Sequence, residues 1–220
     1  MEKLHHLFEP ISIGKIEIPN RICHVPTDTS SAHIDGSVTE RDIHHYATIA
    51  KGGTGFIIVG ATSVDGKNGR STVTNLVADE DYFIPGLARL ADSMHWYGAK
   101  CAVQLQHPGR QAALPREGKI TSNDMAVSLP WSQSRTLVYA NADESKKTVR
   151  VLSTDEIIAL IDLFSEAAWR VKQAGFDAVE LHAAHGYLLS QFMSPYLNKR
   201  IDRFGGSFEN RLRLPLAIVD

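Results

Sequence analysis

Apolar and polar positions along the chain repeat one pattern four times: a short β-rich run, a polar loop, an amphipathic stretch and a glycine near its end. The apolar runs lie at residues 21–25, 55–59, 101–105 and 178–181. The second run is apolar without alternation, which is typical of a strand that is covered on both faces. The pattern therefore predicts four β-strands, each followed by a helix.

Capping signals predict where two of these helices begin. The first helix is expected to begin near Ser37 or Thr39, because Ser37 and Glu40 have the spacing of a capping box. A second capping box, Ser153 with Glu156, opens the third helix. The other two helices are expected from about residue 85 to residue 97, and from about residue 207 to the end of the sequence.

The alternation of strands and helices limits the fold to two candidates. It implies parallel strands with right-handed crossovers, as in a doubly wound sheet or a (β/α)8 barrel. No G-x-G-x-x-G run follows the first strand, which argues against a dinucleotide-binding doubly wound sheet. Residues 11–18 alternate with period two around Gly14 and predict a hairpin that closes the bottom of a barrel. We therefore predict an α/β fold of the TIM (β/α)8-barrel type.

The length of the chain fits only part of such a barrel. A complete barrel has eight units in about 250 residues, whereas we find four units in these 220 residues. Residues 1–220 are thus expected to form the N-terminal portion of a single barrel domain, with about the first four βα units and the hairpin. The stretch 106–153 is too long for a plain connection and predicts a lid or an excursion.

Composition excludes several functional classes. The formal net charge is -2, so no basic excess is present to neutralise nucleic-acid phosphates. The apolar runs are too short to cross a bilayer, and the N-terminus has no apolar signal segment. Cys23 and Cys101 lie in strand-like runs, which favours buried free thiols over a disulfide. We expect a soluble, cytoplasmic protein.

The stretch HAAHGY at residues 182–187 carries the most distinctive chemistry, directly after the predicted strand 178–181. In barrel enzymes the reacting groups lie at the C-terminal ends of the strands. His182, His185 and Tyr187 would then emerge together, where two imidazoles can hold a carbonyl or anionic oxygen and a phenol can deliver a proton. A zinc site is disfavoured because no carboxylate or thiol follows at metal-site spacing. Taken alone, Tyr187 is also explained as an ordinary amphipathic residue that only lines the surface of the fold.

Two further polar residues lie at predicted strand ends. Gln104 falls inside an apolar strand, where a buried amide must find hydrogen-bond partners, so either a structural contact or a ligand contact explains it. A flavin pyrimidine, which offers adjacent donors and acceptors, would suit this amide. Asp28 follows the first strand and is more typical of a turn or a cap than of a catalytic group.

A series of motifs runs in order along the whole chain: LFEP (7–10), IPNRI (18–22), KGGTGFII (51–58), QLQHPGR (104–110), AGFDAVELH (174–182), GYLLSQF (186–192) and GGSFENR (205–211). Together they resemble the old yellow enzymes, which are FMN-dependent ene-reductases built on a TIM barrel. The H-x-x-H form is similar to the bacterial branch. That branch includes large NADH:flavin oxidoreductases similar to 2,4-dienoyl-CoA reductase.

The resemblance implies cofactor contacts by position. Gln104 matches the glutamine that bonds the flavin pyrimidine. Pro26, Thr27 and Ala61 match backbone and side-chain contacts to the isoalloxazine ring. Asp28 occupies a place where many relatives carry Thr or Cys near the flavin C4 oxygen, so it is also counted as a cofactor contact.

The resemblance also implies the catalytic residues. His182 and His185 match the pair that grips the activating carbonyl or carboxylate of the substrate, and His182 is expected to contact the cofactor as well. Tyr187 matches the phenol that protonates the substrate carbon. No metal ligand is implied.

The implied reaction is reduction of an activated C=C bond, in an enone, enoate or enoyl thioester, with electrons from NAD(P)H carried by FMN. The partner would be a small unsaturated carbonyl compound, with no nucleic acid and no membrane. The family's flavin-binding arginine and phosphate-binding loops would lie beyond Asp220. The resemblance thus implies that residues 1–220 are the N-terminal portion of a single FMN-binding TIM-barrel domain. We therefore expect a homo-oligomer or association with the remaining half of the barrel, and weak or no FMN retention by this chain alone. Two alternatives stay open: an amine dehydrogenase of the trimethylamine type, and a truncated, non-catalytic half-barrel.

Overall fold

The fold is seen in a computed structural model that describes residues 2–112, 124–125 and 150–220. Most of the stretch 106–153, for which the sequence predicts a lid or an excursion, lies outside the described residues. The strands are β1 (Ile11–Ile13), β2 (Ile16–Ile18), β3 (Cys23–His24), β4 (Phe56–Ser63), β5 (Lys100–Gln106), β6 (Asp124–Met125), β7 (Arg150–Val151) and β8 (Ala178–Leu181). The α-helices are α1 (Glu40–Lys51), α2 (Ile84–His95), α3 (Thr154–Gln173), α4 (Leu188–Met193) and α5 (Phe208–Val219).

Four parallel strands form the main sheet, in the order β3-β4-β5-β8. Helices α1, α2 and α3 lie in the three connections between these strands, as parallel pairing requires. β5 and β8 pair with Gln104 opposite Glu180. The predicted α/β architecture with a parallel sheet is confirmed. Among the residues described here, no helix is long and apolar enough to span a bilayer.

The N-terminal hairpin is also confirmed. β1 and β2 pair in antiparallel fashion, with Ile11 opposite Ile18. The turn between them contains Gly14 at a φ of +58°, a conformation that glycine adopts without steric cost.

The helices cover one face of the sheet, and this layer forms the larger core. Alternate strand residues face it, so Ile57, Val59 and Val103 are completely buried. Leu90 of α2 and Phe164 of α3 pack in the same cluster. Burial of a side chain of this size contributes about 1.5–3 kcal/mol.

Local signals predicted the later elements well. β8 has the predicted bounds. The Ser153–Glu156 capping box opens α3, and the N-cap of α5 is Ser207. The strands in the first half differ more from expectation, since β4 extends to Ser63 and β3 contains only two residues.

The capping box predicted for α1 is wrong. Thr39 is the N-cap, where its hydroxyl accepts the Asp42 N–H at 3.1 Å and the Asp42 carboxylate accepts the Thr39 N–H at 2.9 Å. Ser37 has another partner, because the Asp35 carboxylate accepts its N–H at 2.9 Å and its hydroxyl at 2.6 Å. The helix therefore begins at the second of the two predicted positions, Thr39, because Asp35 binds Ser37 in a turn of its own.

Helix α4 was not predicted from the sequence. It has only six residues and follows the turn that contains the HAAHGY stretch. Leu188, Leu189 and Phe192 are buried in a second core cluster, together with residues of α3 and α5. This packing, and not a capping signal, defines the helix, since its N-cap Tyr187 makes no side-chain capping hydrogen bond.

The two cysteines differ in burial. Cys101 is a buried free thiol, as predicted. Cys23 is also free but exposed, so the prediction for that residue is wrong. The reason lies in the register: His24 aligns with Ile57 on the helix-covered face, so Cys23 points to the opposite face.

Candidate active site

The C-terminal ends of β5 and β8 bring the amide and imidazole candidates to the same edge of the sheet. Leu105 pairs with Leu181, and the His182 N–H donates to the Leu105 carbonyl at 2.9 Å. Gln104 therefore lies one residue before the end of this pairing, beside the strand that leads into His182. Both side chains are buried.

The HAAHGY turn gathers its three functional rings. The His182 and His185 ring centroids are 4.9 Å apart, and those of His182 and Tyr187 are 4.7 Å apart. The turn closes through the Tyr187 N–H, which donates to the Ala184 carbonyl at 3.1 Å. His185 has a φ of +54°, a conformation that side-chain-bearing residues adopt only where the surroundings hold it. The cluster expected from the sequence is thus present.

Burial and hydrogen bonding define the protonation of His182. Burial, and to a smaller extent the neighbouring His185, lower the pKa of His182 from 6.5 to about 4, so the ring is neutral at pH 7. Its Nδ1 accepts the Ala184 N–H at 3.3 Å, which leaves the ring proton on Nε2. That Nε2 lies 3.1 Å from His185 Nδ1. His182 therefore presents an N–H donor at the centre of the cluster.

Two glutamines that sequence reasoning missed hold this turn against the loop after β5. The buried Gln191 donates through Nε2 to the Gly186 carbonyl at 2.6 Å and to the Pro108 carbonyl at 3.1 Å. Gln111 Nε2 donates to the His185 and Gly186 carbonyls at 2.9 and 2.8 Å. An amide inside the apolar run of α4 is the signal that could have identified Gln191, by the reasoning applied to Gln104.

The close approach of these loops requires a glycine. Gly109 has a φ of +58°, and a Cβ atom there would lie 2.5 Å from Gln191 Oε1. The His107 ring is buried beneath this turn, and its Nδ1 accepts the Gly109 N–H at 3.0 Å. The turn at Gly109 thus packs against Gln191, which in turn binds the Gly186 carbonyl of the HAAHGY turn.

The Gln104 amide is held from two sides in the structure. Its Nε2 donates to Glu180 Oε1 at 2.6 Å, and its Oε1 accepts the Ala61 N–H at 3.4 Å. These bonds use one of two amide hydrogens and one of two carbonyl lone pairs. Within the described part of the chain, Gln104 makes no other side-chain hydrogen bond. An adjacent donor and acceptor therefore remain for a ligand.

Ala61 and Thr27 lie close to this amide because β4 is irregular there. The register between β4 and β5 shifts between Val59 and Thr62, and Ala61 has a φ of +47°. A Cβ atom on Gly60 would overlap the backbone of Thr27, so the segment after β3 runs directly against β4. The irregularity thus brings Thr27, Ala61 and Gln104 close to one another. Pro26 directly precedes Thr27 in the chain.

Asn75 is a further residue that sequence reasoning missed. Its side-chain amide donates to the Ala61 carbonyl and to the Leu76 carbonyl, both at 2.9 Å. This buried amide stabilises the strained Ala61 backbone.

Asp28 is engaged in the loop that follows β3. Its Oδ1 accepts the Ser30 N–H at 2.8 Å, and its Oδ2 accepts the Thr72 hydroxyl at 3.2 Å. This is the turn role that the residue type favoured. The cofactor contact implied by the family resemblance stays a prediction.

A family model described as "NADH:flavin oxidoreductase / NADH oxidase family" matches residues 6–220. The chain is 39% identical to NADH oxidase from Thermoanaerobacter brockii over 222 residues, covering 100% of the chain and 32% of that protein. It is 40% identical to NADPH dehydrogenase from Bacillus subtilis (strain 168), covering 97% of the chain and 59% of that protein.

Solved structures of oxidoreductases are similar to this chain as well. The old yellow enzyme from Pichia sp. AKU4542, a TIM barrel, is 31% identical with a TM-score of 0.87, over 97% of this chain and 55% of that one. Morphinone reductase is 29% identical with a TM-score of 0.84, over 97% and 57%. Histamine dehydrogenase from Rhizobium sp. 4-9 is 31% identical with a TM-score of 0.84, over 99% and 30%. The chain thus spans less than two thirds of each of these relatives.

Proposed function

The chain belongs to the NADH:flavin oxidoreductase / NADH oxidase family, and from this membership we propose that it carries the substrate-binding half of an FMN-dependent ene-reductase. The reaction is reduction of an activated C=C bond, in an enone, enoate or enoyl thioester, with electrons from NAD(P)H. The observation that carries the proposal is the His182–His185–Tyr187 cluster at the end of β8, beside the Gln104 amide of β5.

The residues present suit an isoalloxazine ring by the chemistry of their donors and acceptors. Gln104 would meet the pyrimidine edge with its remaining amide hydrogen and lone pair. Thr27 and Ala61, with Pro26 beside them, would hold the ring from the ends of β3 and β4, and Asp28 would lie at the rim. Bound FMN would supply the hydride, which it receives from NAD(P)H.

The histidines bind and orient the substrate. The neutral His182 carries its proton on Nε2, which faces His185 Nδ1 at 3.1 Å in the structure. A substrate carbonyl oxygen would replace this contact and accept hydrogen bonds from His182 Nε2–H and from a ring N–H of His185. Two aligned donors polarise the C=C bond, because they stabilise the negative charge that develops on the oxygen. Tyr187 holds the phenolic proton that goes to the α-carbon as general acid. Its ring lies against His182, so the two functions share one substrate position.

The chain would form about the first half of the barrel, with the remainder supplied covalently or by association, as a homo-oligomer or with a second chain. The parallel strand order β3-β4-β5-β8, with a helix in each connection, supports this proposal. Free thiols and the use of NAD(P)H suit the cytoplasm.

The experiment compares Tyr187→Phe with the parent, in the protein that carries the complete barrel, under anaerobic stopped flow. We expect reduction of 2-cyclohexenone to slow by about 10²–10⁴-fold, as for loss of a general acid. The preceding reduction of the protein by NADPH should keep its rate. Equal enone turnover in both proteins would contradict the assignment of Tyr187.

A second candidate, oxidation of an amine, is favoured by the likeness to histamine dehydrogenase. Product analysis separates the two, because an ene-reductase yields the saturated ketone from an enone. An amine dehydrogenase yields an aldehyde from the amine. Conversion of trimethylamine or histamine without enone reduction would select the second candidate.

A further inference from the structure

Glu180 is a carboxylate on the face of the sheet opposite the helices, and the proposed chemistry gives it no role. It aligns with Gln104 across the β5–β8 pair, so both side chains point to the same face. Its Oε1 accepts the Gln104 Nε2–H at 2.6 Å. In the described ranges, no lysine, arginine or histidine forms a salt bridge with Glu180.

A primary amide can occupy the same space in two orientations that exchange its donor and its acceptor. The neighbours of Gln104 select one of them. A carboxylate has no hydrogen to donate, so only Nε2 can face Glu180. The Ala61 N–H has no lone pair to offer, so Oε1 faces Ala61 at 3.4 Å. Both contacts require the same orientation, and the bond to a charged acceptor is the stronger of the two.

We propose that Glu180 is a positioning residue that fixes which end of the Gln104 amide offers the donor and which the acceptor to the ligand. This inference rests on the proposed function, in which the ligand edge is the N–H and C=O pair of a flavin pyrimidine. That edge has its own order of donor and acceptor, so a flipped amide would set donor against donor and acceptor against acceptor. Glu180 need not touch the flavin for this role.

The first test follows the Gln104 amide in the folded chain by ¹⁵N–¹H NMR, with the signal assigned by its loss in Gln104→Met. In the parent, one amide proton should be displaced downfield by its short bond to the carboxylate. In Glu180→Ala and Glu180→Gln the displacement should be lost or reduced. Glu17→Gln, an equal charge change on the exposed face of β2, is the matched control and should match the parent. An unchanged Gln104 signal in both Glu180 variants overturns the proposal.

Cys23 reports the loss of the Glu180 charge, and the buried Cys101 reports folding, because it should stay unlabelled in every folded variant. Because Glu180 contributes to the raised pKa of this thiol, both Glu180 variants should react faster with iodoacetamide at fixed pH than the parent. Glu17→Gln should not. This readout involves no flavin.

The second test uses FMN labelled with ¹⁵N at N3, and both parent and variant are the protein that carries the complete barrel. In the parent, the N3–H should be observable and slow to exchange, because it donates to the Gln104 carbonyl. In Glu180→Ala it should exchange rapidly, with FMN affinity lowered roughly tenfold by one mispaired buried amide. If FMN binds and N3–H is equally protected in both proteins, the orienting role fails while the flavin assignment stands. If the parent takes up no FMN but the Gln104 amide responds as expected, the flavin assignment fails and the orienting role stands.

Discussion

Replacement of Gln191 by methionine tests whether the two loops of the site depend on a single buried amide. The change keeps the length of the side chain and removes three hydrogen bonds: those to the Gly186 and Pro108 carbonyls and the one from the Arg110 N–H. The Gln111 side chain also donates to the Gly186 carbonyl, and its N–H donates to the Pro108 carbonyl. Neither carbonyl is therefore left without a partner.

Because both carbonyls keep a second hydrogen-bond donor, the expected loss of stability is moderate. The full penalty of an orphaned buried carbonyl does not apply, so each lost bond costs about 0.5–1.5 kcal/mol and the three together about 3 kcal/mol. For a chain of this length, each 1 kcal/mol lowers the midpoint of thermal unfolding by about 2–4 °C. We expect the Gln191→Met midpoint to fall by about 6–12 °C.

The assay is thermal unfolding followed by circular dichroism. Gln173→Met, on the exposed end of α3, is the matched control and should unfold within about 1 °C of the parent, as surface substitutions usually do. A Gln191→Met protein that unfolds at the temperature of the parent would refute the reasoning. So would an equal loss in both variants, because the effect would then not arise from the loop contacts.

Three more predictions concern the strand ends and the titratable groups. Gly60→Ala should lose several kcal/mol of stability, because its Cβ would overlap the Thr27 backbone; urea unfolding measures this, and a loss below about 1 kcal/mol would contradict it. Burial lowers the pKa of His182 from 6.5 to about 4, so the unfolded chain binds a proton in this range that the folded chain does not. Stability should therefore fall as pH drops from 6.5 to 4, and His182→Gln should flatten that slope. In native protein, iodoacetamide should modify Cys23 and leave Cys101, whose pKa is raised to about 12 by burial; mass spectrometry that finds Cys101 labelled first would be the opposite result.

The sequence predicted those features that depend on neighbouring residues. The hairpin, β8 and the Ser153–Glu156 capping box each follow from a pattern within a few positions, and all three are confirmed. The HAAHGY cluster was predictable for the same reason. Its three rings lie within one turn, directly after a strand whose position was clear.

The features that could not be predicted depend on contacts between distant residues. Gln191 bonds to Pro108 from 83 positions along the chain, and Asn75 bonds to Ala61 across a loop. The exposure of Cys23 depends on which face of β3 meets the helices, which a two-residue strand does not encode in its own pattern. The Ser37–Glu40 capping box failed for a more local reason, because the Asp35 carboxylate binds Ser37 and Thr39 caps α1 instead.

The central claim is that the ends of β4, β5 and β8 face one flavin-sized cavity. The most direct measurement is an NMR titration of the folded chain with FMN at millimolar concentration, which detects contact even where retention is weak. The account predicts that the signals of Ala61, Gln104, His182 and Tyr187 shift together along one binding curve. Shifts confined to other residues, with these four unmoved, would contradict it.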